Sequence, residues 1–141
     1  RRLGPETTVY AFDMYQPLVE SVGKEGKRTG ARFYAIHSDL NQHIPLKENL
    51  LNAAIVANVL HALTERERFA GELSRVMSPG GRVLVTDWVD SFKNMGPTRE
   101  AAITPAEAVR LFEDVGFEAG DMLPAGTHHY AFIATLPRTA S

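Results

Sequence analysis

Cysteine is absent from this 141-residue chain, which excludes a disulfide framework and thiolate metal sites and fits a cytoplasmic protein. Long apolar runs are lacking too. No stretch approaches the roughly 20 residues needed to cross a bilayer, so no membrane partner is expected. Charge of one sign is not in excess: a formal net charge of −2 gives no electrostatic attraction to nucleic acid or an acidic membrane surface. The first residues, Arg1-Arg2-Leu3-Gly4-Pro5, hold no apolar signal core, and no initiator methionine precedes them, as in a processed, trimmed or partial chain. The five histidines are scattered without H-x3-H spacing. His128 and His129 are adjacent on an expected strand and point to opposite faces, so no metal site is expected. Repeats, low-complexity tracts and interdomain linkers are also missing. What remains is 44% hydrophobic and 23% charged residues, ordinary for a single soluble domain spanning residues 1–141.

The organising stretch is residues 73–88. A helix ends at Met77, Ser78-Pro79 forbids its continuation, and Gly80-Gly81 lets the backbone reverse. Val83, Leu84 and Val85 then form a short apolar strand that stops on Thr86-Asp87. A helix feeding a fully apolar strand is half of a βαβ crossover, the unit of a parallel sheet covered on both faces. Side chains at the carboxyl end of such a strand, here Asp87 and Trp88, face the crevice where open α/β sheets bind ligands.

In chain order, residues 7–12 predict a strand ending on Asp13, and Pro17 opens a helix to about Lys27. A second strand, 31–37, stops at Ser38-Asp39, and the polar segment 40–49 predicts a loop. The unbroken apolar run 52–59 predicts a third strand, central in the sheet. Thr64-Glu65-Arg66-Glu67 and Thr104-Pro105-Ala106-Glu107 both read as capping boxes opening helices. Phe69, Leu73, Val76 and Met77 face inward from the first helix, and Ala108, Leu111, Phe112 and Val115 from the second, which Gly116 ends. Arg66-Glu67-Arg68 reads as a solvated helix face. Residues 90–103 predict a loop. Residues 117–123 predict a weak strand that pairs antiparallel with 129–136. The order is that of an α/β domain.

Four motifs in this order resemble the class I S-adenosylmethionine-dependent methyltransferases, in particular the small subgroup similar to quinone-biosynthesis C-methyltransferases. Val9-Tyr10-Ala11-Phe12-Asp13-Met14 resembles their second strand and its terminal acid. His37-Ser38-Asp39-Leu40 resembles the acidic turn after the third. Ile55 to His61 resembles the fourth-strand motif, and 73–88 the Pro-Gly-Gly turn and fifth strand. The resemblance covers residues 7–136. It implies a Rossmann-like methyltransferase sheet, mostly parallel with a C-terminal antiparallel hairpin. S-adenosyl-L-methionine would be the cofactor, S-adenosyl-L-homocysteine the product, and a small molecule the acceptor.

The same resemblance places a first strand and glycine-rich loop ahead of Arg1, where this chain has none. Those glycines let the backbone approach the methionine part of the cofactor. Leaving that strand out of the sheet's middle is expected to expose two strand edges, a route to homo-oligomers. The segment lies outside this sequence, is supplied by another chain, or is dispensed with; a fragment of a longer enzyme is the expectation.

By resemblance, Asp13 holds the ribose hydroxyls, Met14 packs on the adenine, Asp39 meets the adenine amine, and the Leu40 N–H meets a ring nitrogen. Asn58 and Val59 lie beside the methionine end. The plainer readings are a helix-initiating Asp13, a space-filling Met14, a turn aspartate at 39 and a partnered buried Asn58. His61 and Asp87 are the candidate catalytic residues, against a structural histidine and an aspartate bonded to local backbone. A sulfonium methyl needs alignment and exclusion of water, and a base only where the acceptor carries a proton. Acceptor choice is expected to come from residues 90–103 and from whatever precedes Arg1. Two other readings stand beside the enzyme: a cofactor-less assembly module, and a nucleotide-binding oxidoreductase domain, whose ribose-binding acid would resemble Asp13. The Pro-Gly-Gly turn and terminal hairpin favour the methyltransferase.

Overall fold

The computed structural model describes residues 4–138 and divides into two compact units, Arg1–His43 and Ile44–Ser141. In the first, β1 (Thr8–Asp13) and β2 (Arg32–His37) pair in parallel, from Thr8 opposite Arg32 to Asp13 opposite His37. The helix α1 (Gln16–Gly26) connects them, with Pro17 in its first turn, where a missing N–H costs nothing. Val19 is buried, and Gly26 lies against the Phe33 ring so closely that a Cβ would collide with it. Tyr10 and Tyr34 stack across the strand pair at 5.5 Å.

The second unit is a four-stranded sheet in the order β3-β4-β6-β5. Its strands are β3 (Leu51–Ala57), β4 (Met77–Trp88), β5 (Glu118–Ala119) and β6 (His129–Thr135). β3 and β4 run parallel, joined through α2 (Arg66–Val76), while β6 is antiparallel to β4 and to β5. The parallel β3–β4 pair with its antiparallel closing strands is the mixed arrangement expected from the sequence.

Alternation along β4 buries Val83, Val85 and Asp87, and along β6 buries Tyr130, Phe132 and Ala134. On this face α3 (Pro105–Glu113) sets Phe112 edge-on to Phe132 at 6.1 Å and to Phe117 at 5.5 Å. The Ser74 hydroxyl, on α2, donates to the Val115 carbonyl just past α3, at 2.9 Å.

The Ser78-Pro79-Gly80-Gly81 turn lies inside β4 as an outward bulge. Leu51 pairs with Met77, yet Ala53 already pairs with Arg82. Gly80 adopts φ +84°, and a Cβ on Gly81 would sit 2.8 Å from the Ser78 carbonyl oxygen, so glycine is required at both.

Three expectations change. β3 is not central: among the described residues it pairs with β4 alone, and Ile55 is 74% exposed. An apolar run signals burial but does not count hydrogen-bonded neighbours. The first capping box does not form, because the 3-10 turn Leu60–Ala62 and extended Leu63 delay the helix until Arg66, leaving Glu65 at the N-cap with no side-chain cap bond. The second does cap: Thr104 Oγ1 accepts the Glu107 N–H at 3.1 Å, with Pro105 opening the helix. The strand expected over 117–123 shrinks to Glu118–Ala119 and an isolated Leu123 bridge to Ala131.

Candidate functional site

In the first unit the tips of β1 and β2 come together. The Ser38 N–H donates to the Asp13 carbonyl at 2.9 Å, so the Asp39-Leu40 turn, which follows β2, starts beside the β1 tip. His37 Nε2 meets the Met14 carbonyl at 2.7 Å. One Asp13 carboxylate oxygen accepts the Tyr15 N–H at 2.9 Å, a turn that starts α1, and its other oxygen has no partner among the described residues. Asp39 closes a turn of its own: its carboxylate accepts the Asn41 N–H at 3.0 Å. The Leu40 N–H has no partner among the described residues. Met14 is 63% exposed, so it does not fill core space. Behind Asp13 lies a small hollow lined by Ala11, Phe12, Val19, Val22 and Ala35.

In the second unit the tips of β3 and β4 are tied by the Asn58 N–H, which donates to the Thr86 carbonyl at 2.9 Å. Asn58 sits at φ +56°, the left-handed region that asparagine tolerates better than most residues, and is exposed. Val59 follows, and the Leu60–Ala62 turn then brings His61 back onto Asp87. His61 Nδ1 lies 2.8 Å from Asp87 Oδ1, which also accepts the Trp88 N–H at 2.7 Å. Asp87 Oδ2 accepts the His61 N–H at 3.3 Å. Asp87 is fully buried, while the His61 side chain keeps 20% of its exposure.

Arg66 belongs to this cluster, although its sequence context reads as a solvated face. Its guanidinium donates to the carbonyls of Leu60 at 2.8 Å, His61 at 3.4 Å and Ala101 at 2.7 Å. A cation in the first turn of a helix opposes the helix dipole, and that misplacement was the available clue. Glu67 and Arg68 are exposed as expected.

Tyr130 pairs in register with Asp87, and its buried hydroxyl has no partner among the described residues. Burial, reinforced by the charge of Asp87, pushes the phenol above the usual tyrosine range. Burying an unpaired hydroxyl costs about 1–3 kcal/mol. Tyr130→Phe is therefore expected to leave stability unchanged or raise it by about 1 kcal/mol in thermal denaturation; a comparable loss would reveal a partner for the hydroxyl.

Beyond β4, Trp88 lies 4.1 Å from the His129 ring and against Gly96, whose φ of +84° lets the loop close over the indole. His128 turns the other way, stacking on Phe92 at 4.2 Å and meeting Asp90 at 3.0 Å.

The family profile described as a methyltransferase domain matches residues 1–85. A SAM-dependent methyltransferase from Aquifex aeolicus is 28% identical with a TM-score of 0.76, over 92% of this chain and 69% of that one. The 1,6-didemethyltoxoflavin-N1-methyltransferase of Burkholderia thailandensis, solved with 1,6-didemethyltoxoflavin and S-adenosylhomocysteine bound, shares the fold. Its TM-score is 0.69 at 18% identity, over 92% of this chain and 61% of that one. An arsenite methyltransferase of Halobacterium salinarum is 23% identical over 134 residues, 88% of this chain; the chain spans only 34% of that relative's length. With the family profile matching more than half of this chain, the chain belongs to the methyltransferase domain family, whose cofactor is S-adenosylmethionine.

Proposed function

We propose that this chain acts in an S-adenosylmethionine-dependent methyl transfer to a small-molecule acceptor. The observation that carries the reading is the β1 tip. Asp13 keeps one carboxylate oxygen without a partner, next to a turn whose Leu40 N–H is also without one. A carboxylate accepts from the two hydroxyls of a ribose, and a free backbone N–H donates to a purine ring nitrogen. The residues present therefore fit an adenosine: Asp13 takes the ribose, exposed Met14 the face of the base, and Asp39 and Leu40 its edge.

When bound, the cofactor supplies a methyl carbon already activated by positive sulfur. The protein's part is alignment, water exclusion and, where needed, proton removal. The relative named for arsenite does not fix the acceptor. Arsenic(III) prefers soft sulfur ligands, and these 141 residues contain no cysteine.

Calorimetric titration with S-adenosylhomocysteine tests the reading, on this chain and on the chain carrying a glycine-rich strand–loop–helix fused ahead of Arg1. Saturable binding by either form, tighter in the fused one, is expected. No binding by both overturns it.

The free β3 edge and exposed Ile55 favour a second reading, an assembly module. That reading requires self-association in sedimentation together with no affinity for S-adenosylhomocysteine.

A further inference from the structure

Resting on the methyl-transfer reading, we propose that the hairpin 92–95 is the acceptor-recognising arm of the second unit, and that the acceptor is an aromatic ring bearing an anionic substituent. Phe92 and Met95 exchange both backbone hydrogen bonds: the Phe92 N–H donates to the Met95 carbonyl at 3.0 Å, and the Met95 N–H to the Phe92 carbonyl at 2.8 Å. Between them Lys93 and Asn94 sit at φ +49° and +63°. Two consecutive left-handed residues make the tight turn whose twist suits a hairpin, and directly opposed residues project to one face. Phe92 and Met95 therefore stand side by side, 42% and 59% exposed.

This geometry is held against its local cost. Asparagine tolerates the left-handed region, but a lysine there is strained where glycine would not be. Exposed Phe92 and Met95 side chains add little to the core. Strained backbone that its surroundings enforce is found where side chains must be aimed. Here the enforcement is visible. The Phe92 ring stacks on His128 with the planes 21° apart, and His128 Nδ1 meets Asp90 Oδ1 at 3.0 Å. Asp90 lies just past the end of β4, and His128 just before β6. The hairpin is thus pinned to both strands, and its apolar pair is presented ready-made, which spares a ligand the cost of ordering it.

The side chains define what fits. One face of Phe92 is taken by His128, which leaves the ring edge and the Met95 thioether for a ligand. An aromatic edge carries partial positive charge, and both it and a thioether sulfur favour contact with another aromatic ring. Lys93 Nζ lies over the Phe92 ring, 5.2 Å from its centroid, and has no carboxylate partner among the described residues. The Asp90 carboxylate already engages His128. The uncommitted charge beside the apolar pair is therefore positive. An exposed cation–π contact is weak, so the ammonium is available to an anion on the ligand. A neutral ring uses only the apolar pair, and a cationic amine is repelled by Lys93.

Carbon-13 NMR of the methionine methyls in the full chain tests this, with Met95 reporting on the hairpin and fully buried Met77 on the core. The probes are 3,4-dihydroxybenzoate, catechol and dopamine, which share a diol and differ in charge, each added with and without S-adenosylhomocysteine. 3,4-Dihydroxybenzoate should shift Met95 saturably and leave Met77 unmoved. It should bind on the order of fivefold more tightly than catechol, with dopamine weakest. Lys93→Gln should erase that preference with catechol affinity unchanged, and Lys93→Arg should keep it. In the form that binds S-adenosylhomocysteine, Lys93→Gln should raise KM for labelled-methyl transfer to 3,4-dihydroxybenzoate by about the same factor and leave kcat alone. An unmoved Met95, equal affinity for the three probes, a preference that survives Lys93→Gln, or no methylation by a form that binds both ligands each overturns the proposal. Failure to bind S-adenosylhomocysteine overturns the methyl-transfer reading instead, and the Met95 response still decides whether the hairpin takes an aromatic anion.

Discussion

Asp13→Ala is expected to weaken S-adenosylhomocysteine binding on the order of a hundredfold, by about 3 kcal/mol, because two hydroxyl-to-carboxylate hydrogen bonds are lost together. The same change removes the acceptor for the Tyr15 N–H, which opens α1, at a cost of about 1 kcal/mol in stability. The two effects separate with Asp13→Asn. An asparagine oxygen still accepts from Tyr15, so the melting temperature should return to that of the unmodified chain. It lacks the negative charge, and binding should recover only in part. Calorimetry and thermal denaturation on both variants check this. Equal affinities for Asp13, Asn and Ala would remove the carboxylate from the cofactor site.

Phe112→Ala is the largest expected loss of stability. Phe112 is fully buried, and its ring meets the edges of Phe117 and Phe132. Emptying such a site costs about 3–5 kcal/mol, from lost transfer energy and from the cavity left behind. Urea denaturation should show a lower midpoint with an unchanged slope. A loss below about 1 kcal/mol would mean that α3 does not pack on β6 as described.

What could be read from the sequence was local. Thr104-Pro105 with Glu107 predicts a capped helix, and the cap forms because every atom in it lies within four residues. The same spelling at Thr64–Glu67 does not, because the preceding turn shifts the start of α2. Asp13 and Asp39 were each placed at a strand tip from their own flanks, and one backbone hydrogen bond from Ser38 joins them. The partnership of His61 with Asp87 spans 26 residues and depends on how far the 3-10 turn carries the chain back, which no spacing encodes. Arg66 was misread for a similar reason: its three carbonyl partners include Ala101, 35 residues away. The position of β3 at an edge depends on which strands pair, and its alanines, Ile55 and Val56 would suit either place.

The antiparallel setting of β6 beside β4 has a consequence for how acceptor choice can diversify. Because β6 runs the other way, it brings its beginning, His129 and Tyr130, alongside the end of β4 at Trp88 and Asp87. The rim next to His61 and Asp87 is therefore bordered by the connection 120–128. Insertions there change what borders that rim without altering the register of β4 and β6.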